Sequence, residues 1–278
     1  MANTLTGTPA AAAIYVQVRT RAARLAVRPC LAAVSVGAQP DDRAYLRSIA
    51  LSAEGCGITV RPVPLPADCA PEALTDTLRA LSADGAVHGV LLLRPLPEAL
   101  RAQELLDTLD ARKDVDGMTT RSLGALVTGA AGFAPCTAEA CMELLRAHGI
   151  DPAGRRVTVV GRSLVIGRPA ALLLTRADAT VTLCHRKTPD LAARCRDADI
   201  LLAAAGAPGL ITTDFVRPGQ IVLDAGATAL PDGTLRGDVA PDAAAITVCT
   251  PVPGGIGSVT TALLLRHTVQ AAENLRHF

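Results

Sequence analysis

RVTVVGRSLVIGRPAALLL, residues 156 to 174, joins a short β-branched run (Arg156–Val160) to a helix-like apolar run (Ala170–Leu174) through a loop bounded by Gly161 and Gly167. A strand, a glycine turn and a helix start form a phosphate-cradling arrangement: glycine lets backbone approach an anion, and the first amides of the helix favour negative charge there. The spacing is not G-x-G-x-x-G, so the stretch alone also fits a plain strand-to-helix turn. The next strand sharpens the reading. A Rossmann-type site reads the adenosine ribose at the end of its second strand, about 20 residues beyond the glycines. Here that position holds CHRKT, Cys184 to Thr188. An NAD site would usually carry Asp or Glu at this point. His185, Arg186 and Lys187 instead offer positive charge for a 2′-phosphate, so NADP is the expected cofactor and NAD the alternative, with a solvated basic turn as the bland reading.

On both sides of this stretch, strand-like and helix-like segments alternate. CLAAVSV, ITVRPVPLP and VHGVLLLRPLP read as strands, separated by helical patterns over DRAYLRSIALSAEGCG and CAPEALTDTLRALSADG. After a helix opening near Thr137 come RVTVV, TVTLCH, DILLAAAG, GQIVLDAG and AITVCTPVPGG as further strands. Such alternation implies parallel sheets with right-handed crossovers. The expectation is an α/β chain of two domains. One spans 1–136 together with a C-terminal helix over about 258–278, and the other, of Rossmann type, spans 137–257.

Composition excludes several classes. Half of the 278 residues are hydrophobic, the net charge is +1 and 2% are aromatic with no Trp. Neither a basic nucleic-acid surface nor a base-stacking platform is expected. No apolar run reaches the roughly 18 residues of a membrane span, and the N-terminus lacks the basic start of a signal peptide, so a cytoplasmic protein without membrane partners is expected. The eight cysteines are scattered without a C-x-x-C pair, as small buried hydrophobes of a reducing compartment would be; no metal site is expected. Among the 27 basic residues only Lys113 and Lys187 are lysines, so any role for an amine that loses its proton has two candidates.

Four blocks then stand in order along nearly the whole chain: VHGVLLLRPLP (Val87–Pro97), KDVDG (Lys113–Gly117), VVGRSLVIGRP (Val159–Pro169) and TPVPGGIGSVT (Thr250–Thr260), with weaker matches in PCT at Pro135 and GDV at Gly237. Together they resemble the methylenetetrahydrofolate dehydrogenase/cyclohydrolase family. The resemblance implies two α/β domains flanking a cleft, commonly paired into a homodimer through the second domain. It also implies tetrahydrofolate as the one-carbon carrier on the first domain and the nicotinamide cofactor on the second. In that family a hydride passes from the methylene bridge of the folate to NADP, and water then opens the methenyl ring. Residue by residue, Tyr45 matches the folate-stacking tyrosine and Asp116 the carboxylate that hydrogen-bonds the pterin. Pro253, Gly254 and Gly255 match the loop over the folate, Gly161, Arg162 and Ser163 the cofactor turn, and Ala227 a residue touching the cofactor. Arg186 joins them on the reading of the second strand.

The chain also departs from the pattern. The family pairs its tyrosine with a lysine four residues on, and here that position is Ile49. Its glutamine before PLP is Leu93, a polar partner near KDVDG is Ser122, and a loop proline is Ser258. A titratable amine and its neighbour are both replaced by aliphatic groups, whereas the cofactor turn, KDVDG and PVPGG remain. The expectation is a dehydrogenase of folate-bound one-carbon units with the cyclohydrolase step lost. The alternatives are a one-carbon transfer enzyme of specialised metabolism, an intact bifunctional enzyme with a substitute base, and a non-catalytic paralogue.

Overall fold

In a computed structural model of the chain, which describes residues 4–37, 40–230 and 232–274, two compact units separate. One gathers Ala13–Cys136 and Thr261–Phe278; the other gathers Met1–Ala12 and Thr137–Thr260.

The first unit follows the chain through α1 (Thr8–Ala22, of which only the part from Ala13 belongs here), β1 (Cys30–Val36), α2 (Pro40–Glu54), β2 (Thr59–Leu65), α3 (Pro71–Ala83), β3 (Gly89–Leu92), α4 (Gln103–Leu106) and α5 (Thr120–Thr128). Its three strands are parallel in the order β2-β1-β3. The central strand reads CLAAVSV and is buried along nearly its whole length, as a strand covered on both faces must be. In α3 the buried Leu74, Leu78 and Leu81 recur at helical spacing, and Pro71 occupies the first turn, where its missing N–H costs nothing.

The second unit carries α6 (Cys136–Ala147, from Thr137 onward), β4 (Arg156–Val160), α7 (Gly167–Arg176), β5 (Thr180–Cys184), α8 (Leu191–Asp197), β6 (Ile200–Ala203), β7 (Ile221–Asp224), the antiparallel pair β8 (Thr228–Ala229) and β9 (Leu235–Arg236), α9 (Pro241–Ile246) and β10 (Val248–Cys249). α10 (Ile256–Asn274) begins here and continues into the first unit. The parallel sheet runs β10-β7-β6-β4-β5. From β4 the chain steps to β5 on one side and then returns to β6 on the other, which is the doubly wound pattern of a Rossmann-type sheet.

Three details differ from the sequence reading. The stretch before Ala13 groups with the five-stranded unit instead of the three-stranded one. Backbone pairing explains it: Leu5 N–H donates to the Cys249 carbonyl (3.0 Å) and Gly7 N–H to that of Gly254 (2.9 Å). The last helix starts at Ile256 and joins the three-stranded unit at Thr261, not 258; residues 275–278 of the expected helix lie outside the described residues. The strand expected over AITVCTPVPGG shrinks to Val248–Cys249, because Pro241 opens a helical turn that runs to Ile246.

Candidate functional site

Tyr45 lies on α2 in the three-stranded unit, 39% exposed, with its hydroxyl in hydrogen-bonding contact with Thr261. Burial of the phenol end, and then the nearby Asp116, push its proton affinity well above that of a free tyrosine. Asp116 is half-buried in the turn after Lys113. Desolvation, and secondarily the charge of Asp114, raise its carboxyl to about 6, against the opposing pull of Arg94, Cys136 and His267.

The surroundings of Asp116 are built largely from residues that the sequence reading did not single out. Asp114 accepts from the N–H groups of Met118 (3.0 Å) and Thr119 (2.7 Å) and from the Ser122 hydroxyl (2.7 Å), so Ser122 serves the turn as an anchor. His267 on α10 donates through Nδ1 to the Val115 carbonyl (2.8 Å), and the Cys136 thiol reaches the same oxygen at 3.3 Å. The ring of His267 packs on Phe133 with centroids 4.9 Å apart. Asp114 stood inside a recognisable motif, whereas nothing local in the sequence marks His267.

The two aliphatic replacements are both buried: Ile49 is 0% exposed and Leu93 6%. Lys113, the lysine of this unit, points elsewhere. Its Nζ is buried and donates to the carbonyls of Leu81 (3.0 Å) and Asp84 (2.8 Å), closing the C-terminal end of α3.

In the five-stranded unit Gly161 follows β4 at φ 121°, and a Cβ there would sit 2.0 Å from the Ala204 oxygen; one on Gly167 would sit 2.0 Å from the Gly161 oxygen. Only glycine permits this double backbone contact. Arg162 and Ser163 are exposed at the turn, and the Ser163 hydroxyl accepts from Ile166 N–H (3.2 Å). After β5 the HRKT turn is ordered by its own bonds: His185 N–H donates to the Thr188 hydroxyl (2.9 Å) and Lys187 N–H to the His185 ring (3.1 Å). Arg186 and Lys187 are exposed at its tip and their side chains take no partner among the described residues. Ala227 is exposed just beyond β7. Pro253 follows a cis peptide bond, Gly254 has φ 100°, and Gly255 is buried, its carbonyl accepting from the Ser258 hydroxyl (2.8 Å). The glycine turn and the unengaged cations suit an anionic dinucleotide.

Comparison with known proteins agrees with this layout. Residues 5–116 match the model of the tetrahydrofolate dehydrogenase/cyclohydrolase catalytic domain, and residues 135–276 that of its NAD(P)-binding domain. The chain belongs to the tetrahydrofolate dehydrogenase/cyclohydrolase family. A family member from Rhodococcus jostii, the bifunctional protein FolD 1, is 50% identical over 252 residues, covering 89% of this chain and 84% of its own. The family fold also superposes well. The bifunctional enzyme FolD of Campylobacter jejuni has a TM-score of 0.93 at 36% identity, covering 98% of this chain and 99% of its own. The Trypanosoma brucei methylenetetrahydrofolate dehydrogenase-cyclohydrolase, solved with NADP and an inhibitor, has a TM-score of 0.91 at 34% identity, covering 98% of both chains. Family membership makes this protein an oxidoreductase of folate one-carbon chemistry. Among the described residues no helix is long and apolar enough to cross a membrane, and no group of His, Cys, Asp and Glu could hold a metal.

Proposed function

We propose that this protein oxidises the methylene bridge of 5,10-methylenetetrahydrofolate with NADP and leaves the methenyl product largely unhydrolysed. Bound NADP would supply the hydride acceptor. Loss of hydride from the bridging carbon leaves a cation shared by the two flanking nitrogens, and no proton need move. Opening that ring by water is different, because the attacking water must give up a proton to a base.

In this reading Tyr45 lies against the folate and Asp116 accepts hydrogen bonds from the pterin. Gly161, Arg162 and Ser163 cradle the cofactor phosphates beside Ala227, Arg186 meets the 2′-phosphate, and Pro253, Gly254 and Gly255 close over the folate. The observation that carries the loss of hydrolysis is the commitment of Lys113. With Ile49 and Leu93 buried and apolar, Lys113 is the amine of this unit, and its protons go to the end of α3. The domain limits and the homodimer implied by the family resemblance belong to the same proposal, and light scattering reads the latter.

The deciding experiment has two halves. Protein mixed with methylenetetrahydrofolate and NADP should produce NADPH and methenyl absorbance together. Protein given methenyltetrahydrofolate alone should leave its absorbance decaying at the buffer rate. Fast enzymatic decay would overturn the loss of hydrolysis, and no NADPH would overturn the dehydrogenase.

A further inference from the structure

The doubly wound sheet changes direction between β4 and β6, and ligands of such sheets bind outside the carboxyl ends of the strands at that point. Two loops border it: the Gly161 turn after β4 and the segment Ala204–Gly209 after β6. They touch directly, since Gly161 has room for no Cβ against the Ala204 oxygen. The shape of the second loop therefore bears on the first.

That loop is held by a single side chain. The N–H groups of Ala205 (2.6 Å) and Gly206 (3.1 Å) donate to one carboxylate oxygen of Asp238, and Ala207 N–H donates to the other (2.8 Å). Three successive amides converging on one anion form a nest of the kind that elsewhere binds phosphate. Here the chain fills it with its own carboxylate, which is 0% exposed. Asp238 is fixed in turn by Asp224 at the end of β7. The Asp224 carboxylate accepts from the N–H groups of Asp238, Val239 and Gly226, each at 2.9 Å. Glycine is required beside both acids: a Cβ on Gly237 would lie 2.0 Å from the Asp224 carboxylate and one on Gly226 2.6 Å from that of Asp238. Among the described residues neither acid has an ion-pair partner, so backbone amides alone balance two buried charges. Charge-assisted bonds of this sort are about twice as strong as neutral ones.

We propose that Asp238 is a positioning residue for the dinucleotide: by filling the amide nest of Ala205, Gly206 and Ala207 it sets the loop that borders the cofactor crevice beside the Gly161 turn. This rests on the reading that the five-stranded unit binds a nicotinamide dinucleotide. An aspartate supplies two acceptor oxygens, whereas an asparagine would turn an N–H₂ toward donors and release at least one amide.

The test is Asp238→Asn, read in four ways. Hydrogen exchange of Ala205–Ala207 should quicken at least tenfold, and the calorimetric Kd for NADP should rise about tenfold or more. The Kd for a folate analogue and kcat at saturating NADP should stay within twofold of wild type. Unchanged NADP affinity with a loosened loop would overturn the proposal and leave Asp238 a purely structural residue. A fall in kcat at saturation with normal NADP affinity would overturn it too. If the wild-type protein binds neither NADP nor NAD, the cofactor reading itself falls, and this inference with it. Should Asp238→Asn fail to fold, Gly226→Ala presses on the same carboxylate without removing its charge. It must show the same division between cofactor affinity and kcat; wild-type affinity there overturns the proposal.

Discussion

His267 Nδ1 donates to the carbonyl of Val115 at 2.8 Å, across 152 positions of sequence, and Val115 is the residue immediately before Asp116. The bond ties the candidate folate carboxylate to α10, and His267 and Arg94 favour its charged form while burial and Asp114 oppose it. The balance leaves Asp116 titrating at about 6.

Folate binding should therefore weaken as pH falls through about 6, because the protonated carboxyl accepts fewer hydrogen bonds. A Kd-versus-pH series on wild type and Asp116→Asn checks this, and only the wild type should show the step. Stability moves the other way. A carboxyl raised in the folded state costs nothing below its unfolded value near 4, costs progressively more between the two values, and costs in full above 6. Asp116→Asn should thus raise stability at pH 8 by about 1–2 kcal/mol and not at pH 3.5, which paired denaturant melts will read.

Lys113→Met should lower stability by about 2–4 kcal/mol, since the Leu81 and Asp84 carbonyls lose a buried charged donor. The folded fraction should still produce NADPH at near the wild-type rate. A dehydrogenase rate that collapsed in fully folded Lys113→Met would show that this amine acts in the chemistry.

Removal of the Arg186 side chain should weaken NADP by about 1–3 kcal/mol, the scale of a charge-assisted bond, and leave NAD nearly unchanged. Calorimetry with both cofactors separates the cases. Equal losses would mean that Arg186 does not meet the 2′-phosphate.

The double substitution Ile49→Lys, Leu93→Gln should bring methenyltetrahydrofolate hydrolysis above the buffer rate, within the roughly 10²–10⁴-fold that general base catalysis contributes. Both positions are buried, so the new amine pays desolvation and Tm should fall; the glutamine is there to give it a partner. A folded double variant with no gain would mean that the site has diverged beyond these two residues.

Much of this was legible one segment at a time. The alternation of buried strands with amphipathic helices, the glycine turn at Gly161, the basic tip at Arg186 and the aliphatic residues at 49 and 93 are local patterns, because backbone conformation and side-chain period are set by near neighbours. Short elements were not legible in this way. The two-residue strands β8, β9 and β10 carry no period to read, and the helix opened by Pro241 runs over Ala245 and Ile246, the first two residues of what reads as a strand.

Tertiary structure decided the rest, through contacts between segments far apart in the chain. Lys113 sits in the KDVDG motif, yet its protons go 32 residues back, to the end of α3. Asp238 reads as one acid of a GDV turn, and only folding brings it to the amides of Ala205–Ala207, more than 30 residues earlier. The ionisation of Asp116 depends on burial, on the charges of Asp114, Arg94 and His267, and on a hydrogen bond from the Cys136 thiol. Sequence named the residue types the chemistry has at hand. Desolvation and long-range hydrogen bonding, which exist only once the chain has closed on itself, determined which of those groups are free to act.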